Sequence, residues 1–184
     1  MAKKALENAG YLTIGMDHFA LKEDPLAQAY ISKTLSRNFM GYTNLPTEDL
    51  LGLGYFSIGS SPTAYFQNHR TLDQYYAQVD RIGVGVDKVC LLSADDLKRK
   101  WVIEHLMCQF FVDKIAFKRK FKLDFDQYFH QELSALLSLE EQGLISLCNN
   151  GFKVTKLGAL LIRLVAVVFD AHYVCKNKSF SQAI

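Results

Sequence analysis

The sequence has no close pair of cysteines. Cys90, Cys108, Cys148 and Cys175 stand 18, 40 and 27 residues apart, a spacing that excludes a zinc knuckle and an iron–sulfur loop. Thiols scattered in this way are expected to be buried apolar fillers. There is also no strong charge of one sign: 21 Lys and Arg face 19 Asp and Glu, for a formal charge of +2. Residues 1–90 hold eight basic against nine acidic side chains, and residues 91–184 thirteen against ten. Such a balance gives little long-range attraction for nucleic acid or an anionic membrane. The longest apolar run, Gly158–Phe169, is short and interrupted by Arg163, so it reads as a buried helix and not as a membrane span. MAKKALENAGY has no apolar core before its first glycine, which is unlike a secretion signal and leads to an expected cytoplasmic location. No internal repeat is visible.

What is present is apolar and aromatic: 49% and 12% of the chain, enough for one sizeable core or two small ones. The pattern predicts a helix over Ala2–Ala9 ended by Gly10, then a short buried strand over Tyr11–Met16. A second helix opens at Pro25, runs through PLAQAYISKTLSRNF to Phe39 and ends at Gly41. Strands are expected at Leu51–Ser57 and Thr63–Phe66 around a GSSP turn, with a helix over Thr71–Val79. This alternation suggests βα units in an α/β layer.

The style changes near residue 84. VGVDKVCLL reads as a linker, dividing the chain into residues 1–90 and residues 91–184. Ser93-Ala94-Asp95-Asp96 is a capping-box signature, and the helix it opens aligns Leu97, Trp101, His105 and Cys108. His105 and Cys108 could share a metal at i, i+3. Two ligands without a third make a core face the better explanation, so no metal site is expected. Helix (Phe125–Gln142), strand (LISLC), an Asn149-Asn150-Gly151 turn, strand (FKVT) and helix (Leu157–Phe169) then describe a winged-helix-like module. Many winged helices bind DNA, but residues 124–143 carry five acidic side chains and no lysine or arginine. That surface would repel phosphates, and no nucleic-acid partner is expected.

Seven phrases are more specific together than singly. They are IGMDHFA (Ile14–Ala20), RNFxGYT (Arg37–Thr43), DLLGLG (Asp49–Gly54), YxQN (Tyr65–Asn68), DDxxR (Asp95–Arg99), EEQGLI (Glu140–Ile145) and VTxxGxLLIR (Val154–Arg163). In order and spacing the chain resembles the C-terminal portion of oxygen-independent coproporphyrinogen III oxidase, a radical S-adenosylmethionine family of haem biosynthesis. The resemblance implies the last strands of a partial βα barrel over residues 1–90 and a helical, winged-helix-like domain over residues 91–184. It implies oxidative decarboxylation of two propionates of coproporphyrinogen III to vinyl groups, giving protoporphyrinogen IX. The radical that starts this comes from S-adenosylmethionine reduced by a 4Fe-4S cluster.

By the same resemblance, Ile58 and Phe39 correspond to cofactor-binding positions, Ile58 through its backbone and Phe39 as its apolar neighbour. Asp17 and His18, at an expected strand end, and Arg37, whose guanidinium suits a propionate, are candidate catalytic positions. The alternatives stay open. Phe39 and Ile58 also suit a core, His18 could bond within a barrel floor, and Arg37 could serve a helix end. Met40 stands where the family usually has glutamine, Phe56-Ser57-Ile58-Gly59 where it has SAIS, and Ala159 and Leu164 where it has arginine and asparagine.

The family's CxxxCxC loop and glycine-rich cofactor segment are not among these 184 residues. They are therefore expected to be inactive alone, as an excised domain or a truncated product, and to self-associate through unpaired barrel edges. A different class of function is a non-catalytic haem- or tetrapyrrole-binding module, with His18, His69, His105, His130 or His172 as axial ligand. A third is a protein-interaction module built on the winged helix.

Overall fold

The computed structural model describes residues 2–173, so Cys175 lies outside the described residues. The fold is mixed α/β. Helix α1 (Ala2–Asn8) leads into β1 (Leu12–Ile14) and β2 (His18–Ala20), an antiparallel hairpin turning at Gly15. Asp24 accepts from the Leu26 amide to cap α2 (Pro25–Ile31). A second hairpin follows, β3 (Ser36–Asn38) and β4 (Gly41–Thr43). Strands β5 (Ile58–Ser61), β6 (Ala64–Asn68) and β7 (Val86–Leu91) form a three-stranded sheet in the order β5-β6-β7, with α3 (Leu72–Ile82) between β6 and β7.

Helix α4 (Ala94–Gln109) opens the second half. It is followed by β8 (Phe111–Asp113), α5 (Lys114–Phe121), α6 (Phe125–Tyr128) and α7 (Leu133–Glu141). Then come β9 (Ile145–Cys148), β10 (Gly151–Val154), α8 (Lys156–Leu160), α9 (Ile162–Ala166) and a 3-10 turn at Val167–Phe169. Sheet order here is β8-β10-β9, so the Asn149-Asn150 hairpin has gained a third strand from before α5.

Several expected elements differ. The helix from Pro25 stops at Ile31: the Ser32 hydroxyl donates to the Gln28 carbonyl at 2.8 Å, and Lys33 turns left-handed at φ 60°. RNFMGYT is consequently a β-hairpin and no helix exit. Residues 51–57 form no strand, because Asn68 gathers them into a loop. VGVDKVCLL is no linker but mostly β7, whose pairing with β6 is invisible in its own pattern because apolar side chains project on both faces. The expected helix over 125–142 breaks where the Phe129 ring turns inward, and the one over 157–169 breaks at Leu161, φ −116°. All strand pairs among the described residues are antiparallel: β1–β2, β3–β4, β5–β6 and β9–β10 are hairpins, while α3 connects β6 to β7 and β8 pairs with β10. Cys108 is buried as expected, whereas Cys90 and Cys148 are exposed.

The core lies mainly in the second half. Phe117, Phe125, Phe129, Phe152 and Phe169 are all enclosed there with Leu106, Leu136, Ile145 and Ile162. Among the described residues of the first 90, only Ile14, Ala20, Ala27, Ala29, Leu35 and Tyr42 join them as buried apolar groups. Arg99 ties the second half together by donating to Asp95 at 2.6 Å, to Glu132 at 2.8 Å and to the Phe169 carbonyl at 3.3 Å.

The capping box is formed: Asp96 accepts from the Ser93 amide at 2.8 Å, and its own amide donates back to the Ser93 hydroxyl at 3.1 Å. The Ser93 hydroxyl and amide, helped by His172 at 2.7 Å, hold the Asp96 carboxyl down at about 2 from an ordinary 3.8. Because the folded value is the lower one, this stabilisation is complete above pH 3.8 and fades as pH falls toward 2. Ser93→Ala is expected to cost about 1 kcal/mol at neutral pH. It should also flatten the fall in stability across that acidic window, which urea melts at a series of pH values would show. An unchanged acid limb would contradict the assignment.

Candidate functional site

Two hairpin turns meet at the start of the chain, and short side chains make the meeting possible. Gly15 is left-handed, at φ 59°, and leaves the space that the Tyr42 ring occupies: a Cβ there would stand 2.0 Å from the ring. Gly41 makes similar room for His18, whose Nε2 would be 2.9 Å from an added Cβ. The His18 ring meets Tyr42 edge-on with centroids 5.1 Å apart, and its Nδ1 pairs with Asp17 at 2.8 Å. The Arg37 guanidinium lies over the Tyr42 ring, 5.6 Å from its centroid. The Tyr42 hydroxyl donates to the Met107 carbonyl at 3.0 Å, joining the hairpins to α4. Burial pushes this phenol above its ordinary range, which keeps it a donor.

The turn of the second hairpin is Phe39-Met40, set by Asn38 accepting from the Met40 amide at 2.8 Å. Phe39 is 51% exposed and meets Tyr65 of β6 edge-on at 5.2 Å; Met40 is 88% exposed. Lys100 of α4 places its Nζ 5.0 Å from the Tyr65 centroid, so hairpin, sheet and helix converge on that ring. Ile58 is half-buried on β5, opposite Gln67. Asn68, the sole polar residue among the buried ones described, donates to the carbonyls of Gly52 and Gly54 and to the Ser57 hydroxyl. It fixes the loop that enters β5 at Ile58.

The structure thus brings Asp17, His18 and Arg37 together around Tyr42. Phe39 joins the same hairpin tip but turns toward Tyr65 and the sheet carrying Ile58. Tyr42, Tyr65 and Asn68 were not singled out from the sequence. Their signal was present, since all three lie inside the quoted RNFxGYT and YxQN phrases. Beside Arg37 a pocket of ≈ 80 Å³ opens onto Glu104, His105, Cys108 and Gln109 of α4. Burial raises the Glu104 carboxyl, lowers the His105 imidazole and pushes the Cys108 thiol up to about 12.

Other motif residues hold the scaffold. Glu140 accepts from the Leu147 amide at 2.7 Å, and Thr155 caps α8 by accepting from Gly158 at 3.0 Å. The histidines are dispersed. His69 stands 3.8 Å from Asp87, His105 bonds the Trp101 carbonyl, His130 the Gln127 carbonyl and His172 Asp96. Among the described residues no group of three or more His, Cys, Asp or Glu side chains could hold a metal ion, so the cysteine ligands of a cluster are not found among them. No helix among them is long and apolar enough to cross a membrane.

This fold is similar to part of the fold of a radical SAM enzyme. It superposes with a TM-score of 0.89, at 39% identity, on the solved structure of coproporphyrinogen III oxidase (HemN) from Escherichia coli, covering 94% of this chain and 40% of that one. Residues 92–161 match the HemN C-terminal domain. The chain is 45% identical to the oxygen-independent coproporphyrinogen III oxidase of Synechocystis, over 97% of its own length and 40% of that protein. With the enzyme of Thermostichus vulcanus it shares 46%, over 97% of its own length and 56% of the relative's. The chain is thus similar to the C-terminal part of oxygen-independent coproporphyrinogen III oxidases, and spans 40% and 56% of the length of these two relatives.

Proposed function

We propose that these residues form the substrate-covering C-terminal part of an oxygen-independent coproporphyrinogen III oxidase acting in the cytoplasm. The observation that carries this is the 0.89 superposition over 94% of the chain at 39% identity. In this reading residues 1–90 complete the edge of a partial βα barrel, and residues 91–184 are a winged-helix-like domain. The order α4, β8, α5, α6–α7, β9, β10 supports the latter, since it places a hairpin wing after a helical cluster and pairs it with the strand after the first helix.

Bound S-adenosylmethionine and a 4Fe-4S cluster would supply the hydrogen abstraction that begins decarboxylation of a propionate. The cluster does not fit the described residues, which contain no ligand set for it. The S-adenosylmethionine fit is that of a wall: half-exposed Phe39 and half-buried Ile58 give apolar surface, and Tyr65 stands beside Phe39. Arg37 would hold a propionate carboxylate through its fork. Asp17 would orient His18, whose ring is bonded to it, and His18 would pack edge-on against Tyr42, the ring that supports Arg37. With the wall in place, water is kept from the reacting carbon. Exposed Leu51, Leu53, Phe56 and the free edge of β7 would pack against the rest of a barrel, or self-associate without it.

A chimera tests the reading: the Escherichia coli enzyme with its corresponding C-terminal part replaced by this chain. Protoporphyrinogen IX formation is expected from the chimera and none from these 184 residues alone. A folded, cluster-loaded chimera without product would overturn the proposal.

A further inference from the structure

We propose that the pocket between the β3–β4 hairpin and α4 binds the zwitterionic head of an α-amino acid, Arg37 taking its carboxylate and Glu104 its ammonium group. The inference does not rest on the function proposed above, and it gives the Arg37 fork to this ligand in place of a propionate.

Its basis is two residues of opposite charge that line one cavity, neither of them in an ion pair among the described residues. Arg37 stands on the hairpin and is exposed; among the described residues it forms no ion pair, only the contact over the Tyr42 ring. Glu104 is half-buried on α4, and among the described residues its carboxylate has neither a hydrogen bond nor a cation within 4.0 Å. Its oxygens are still reached by water, since no side-chain polar atom among the described residues is both buried and unpartnered, so the site is open to an ammonium group. Burial dominates in raising the Glu104 pKa, while Lys100 on α4 and Lys120 on α5 act the other way from beyond ion-pair distance. Both lysines lean on rings, Lys100 on Tyr65 and Lys120 on Phe121.

The remaining walls are neutral. His105 Nδ1 bonds the Trp101 carbonyl at 2.8 Å and so carries the ring proton, which leaves Nε2 as an acceptor suited to an ammonium. Burial lowers the His105 pKa and holds the Cys108 thiol up at about 12, so neither adds charge. Gln109 spends an amide hydrogen on the Lys33 carbonyl at 3.3 Å, which braces the pocket mouth. A simple anion would meet repulsion from Glu104, and a simple cation repulsion from Arg37. A ligand carrying both charges one carbon apart satisfies both. The volume of ≈ 80 Å³ suits such a head and leaves a side chain to project outward.

The test is titration of the full 184-residue chain, followed by NMR shifts, with L-alanine, L-methionine, acetate and methylammonium as probes. L-Alanine and L-methionine are expected to bind saturably and about equally, and the two single-charge probes about tenfold or more weakly. Arg37→Gln and Glu104→Gln should each lose about tenfold of the L-alanine affinity. Arg37 is exposed, so its variant keeps the test decisive if Glu104→Gln fails to fold. Acetate binding as well as L-alanine, an unaffected Arg37→Gln variant, or no saturable shift with either amino acid would overturn the proposal.

Discussion

Phe117→Ala is expected to remove about 3–5 kcal/mol of stability, the range for deleting an enclosed aromatic ring. Phe117 is fully buried and its ring meets five others: Trp101 at 5.7 Å, Phe121 at 4.8 Å, Phe125 at 5.2 Å, Tyr128 at 6.2 Å and Phe129 at 5.5 Å. Those neighbours come from α4, α5, α6 and the residue just after α6, and rings bound to three separate helices cannot collapse together into the space left behind. Total stability of a domain is only about 5–15 kcal/mol, so this single loss removes a large share of it. Trp101, the single tryptophan, reports on this cluster directly. A urea melt followed by its fluorescence should show a midpoint shifted far down with little change in slope. A loss below about 1 kcal/mol would mean that this cluster is not what holds the helices together.

The second large effect is local. Gly15→Ala adds a left-handed Cβ, costing about 1–2 kcal/mol, and drives it to 2.0 Å from the Tyr42 ring. Overpacking of this kind costs a further ~1–3 kcal/mol. The ring can escape only by giving up its bond to the Met107 carbonyl, and stranding that group costs again about 1–3 kcal/mol. Because Tyr42 is the buried polar link between the hairpins and α4, the expected result is detachment of residues 11–43 with the aromatic core intact. Trypsin should then cut faster at Lys22, Lys33 and Arg37, while Trp101 fluorescence stays native. Tyr42→Phe, which loses only the hydroxyl, should be several times milder. Equal protection of Gly15→Ala and the parent chain would refute this linkage.

Legibility was uneven along the chain, for physical reasons. Helix α4 and its capping box were readable because Ser93 and Asp96 act on each other three residues apart. The β9–β10 hairpin was readable because its register is set by a local turn. RNFMGYT was misread as the end of a helix. Its residues tolerate helix, and what stops α2 at Ile31 is a backbone reversal at Lys33 that no periodicity reports. β7 was misread as a linker since its partner, β6, lies beyond an intervening helix. The candidate residues followed the same division: Asp17 and His18 are adjacent in sequence, but Arg37 reaches them only through Tyr42.

By itself the sequence determined the ancestry, the mixed α/β class and the concentration of aromatic residues that becomes the core. These depend on composition and on short motifs, which act over a few residues. Only the tertiary structure decided that two glycines admit Tyr42 and His18 into one cluster, and that Arg37 and Glu104, 67 positions apart, share a pocket. Such pairings depend on how hairpins pack on a helix, and the burial that shifts Glu104 and Cys108 exists only once they have packed.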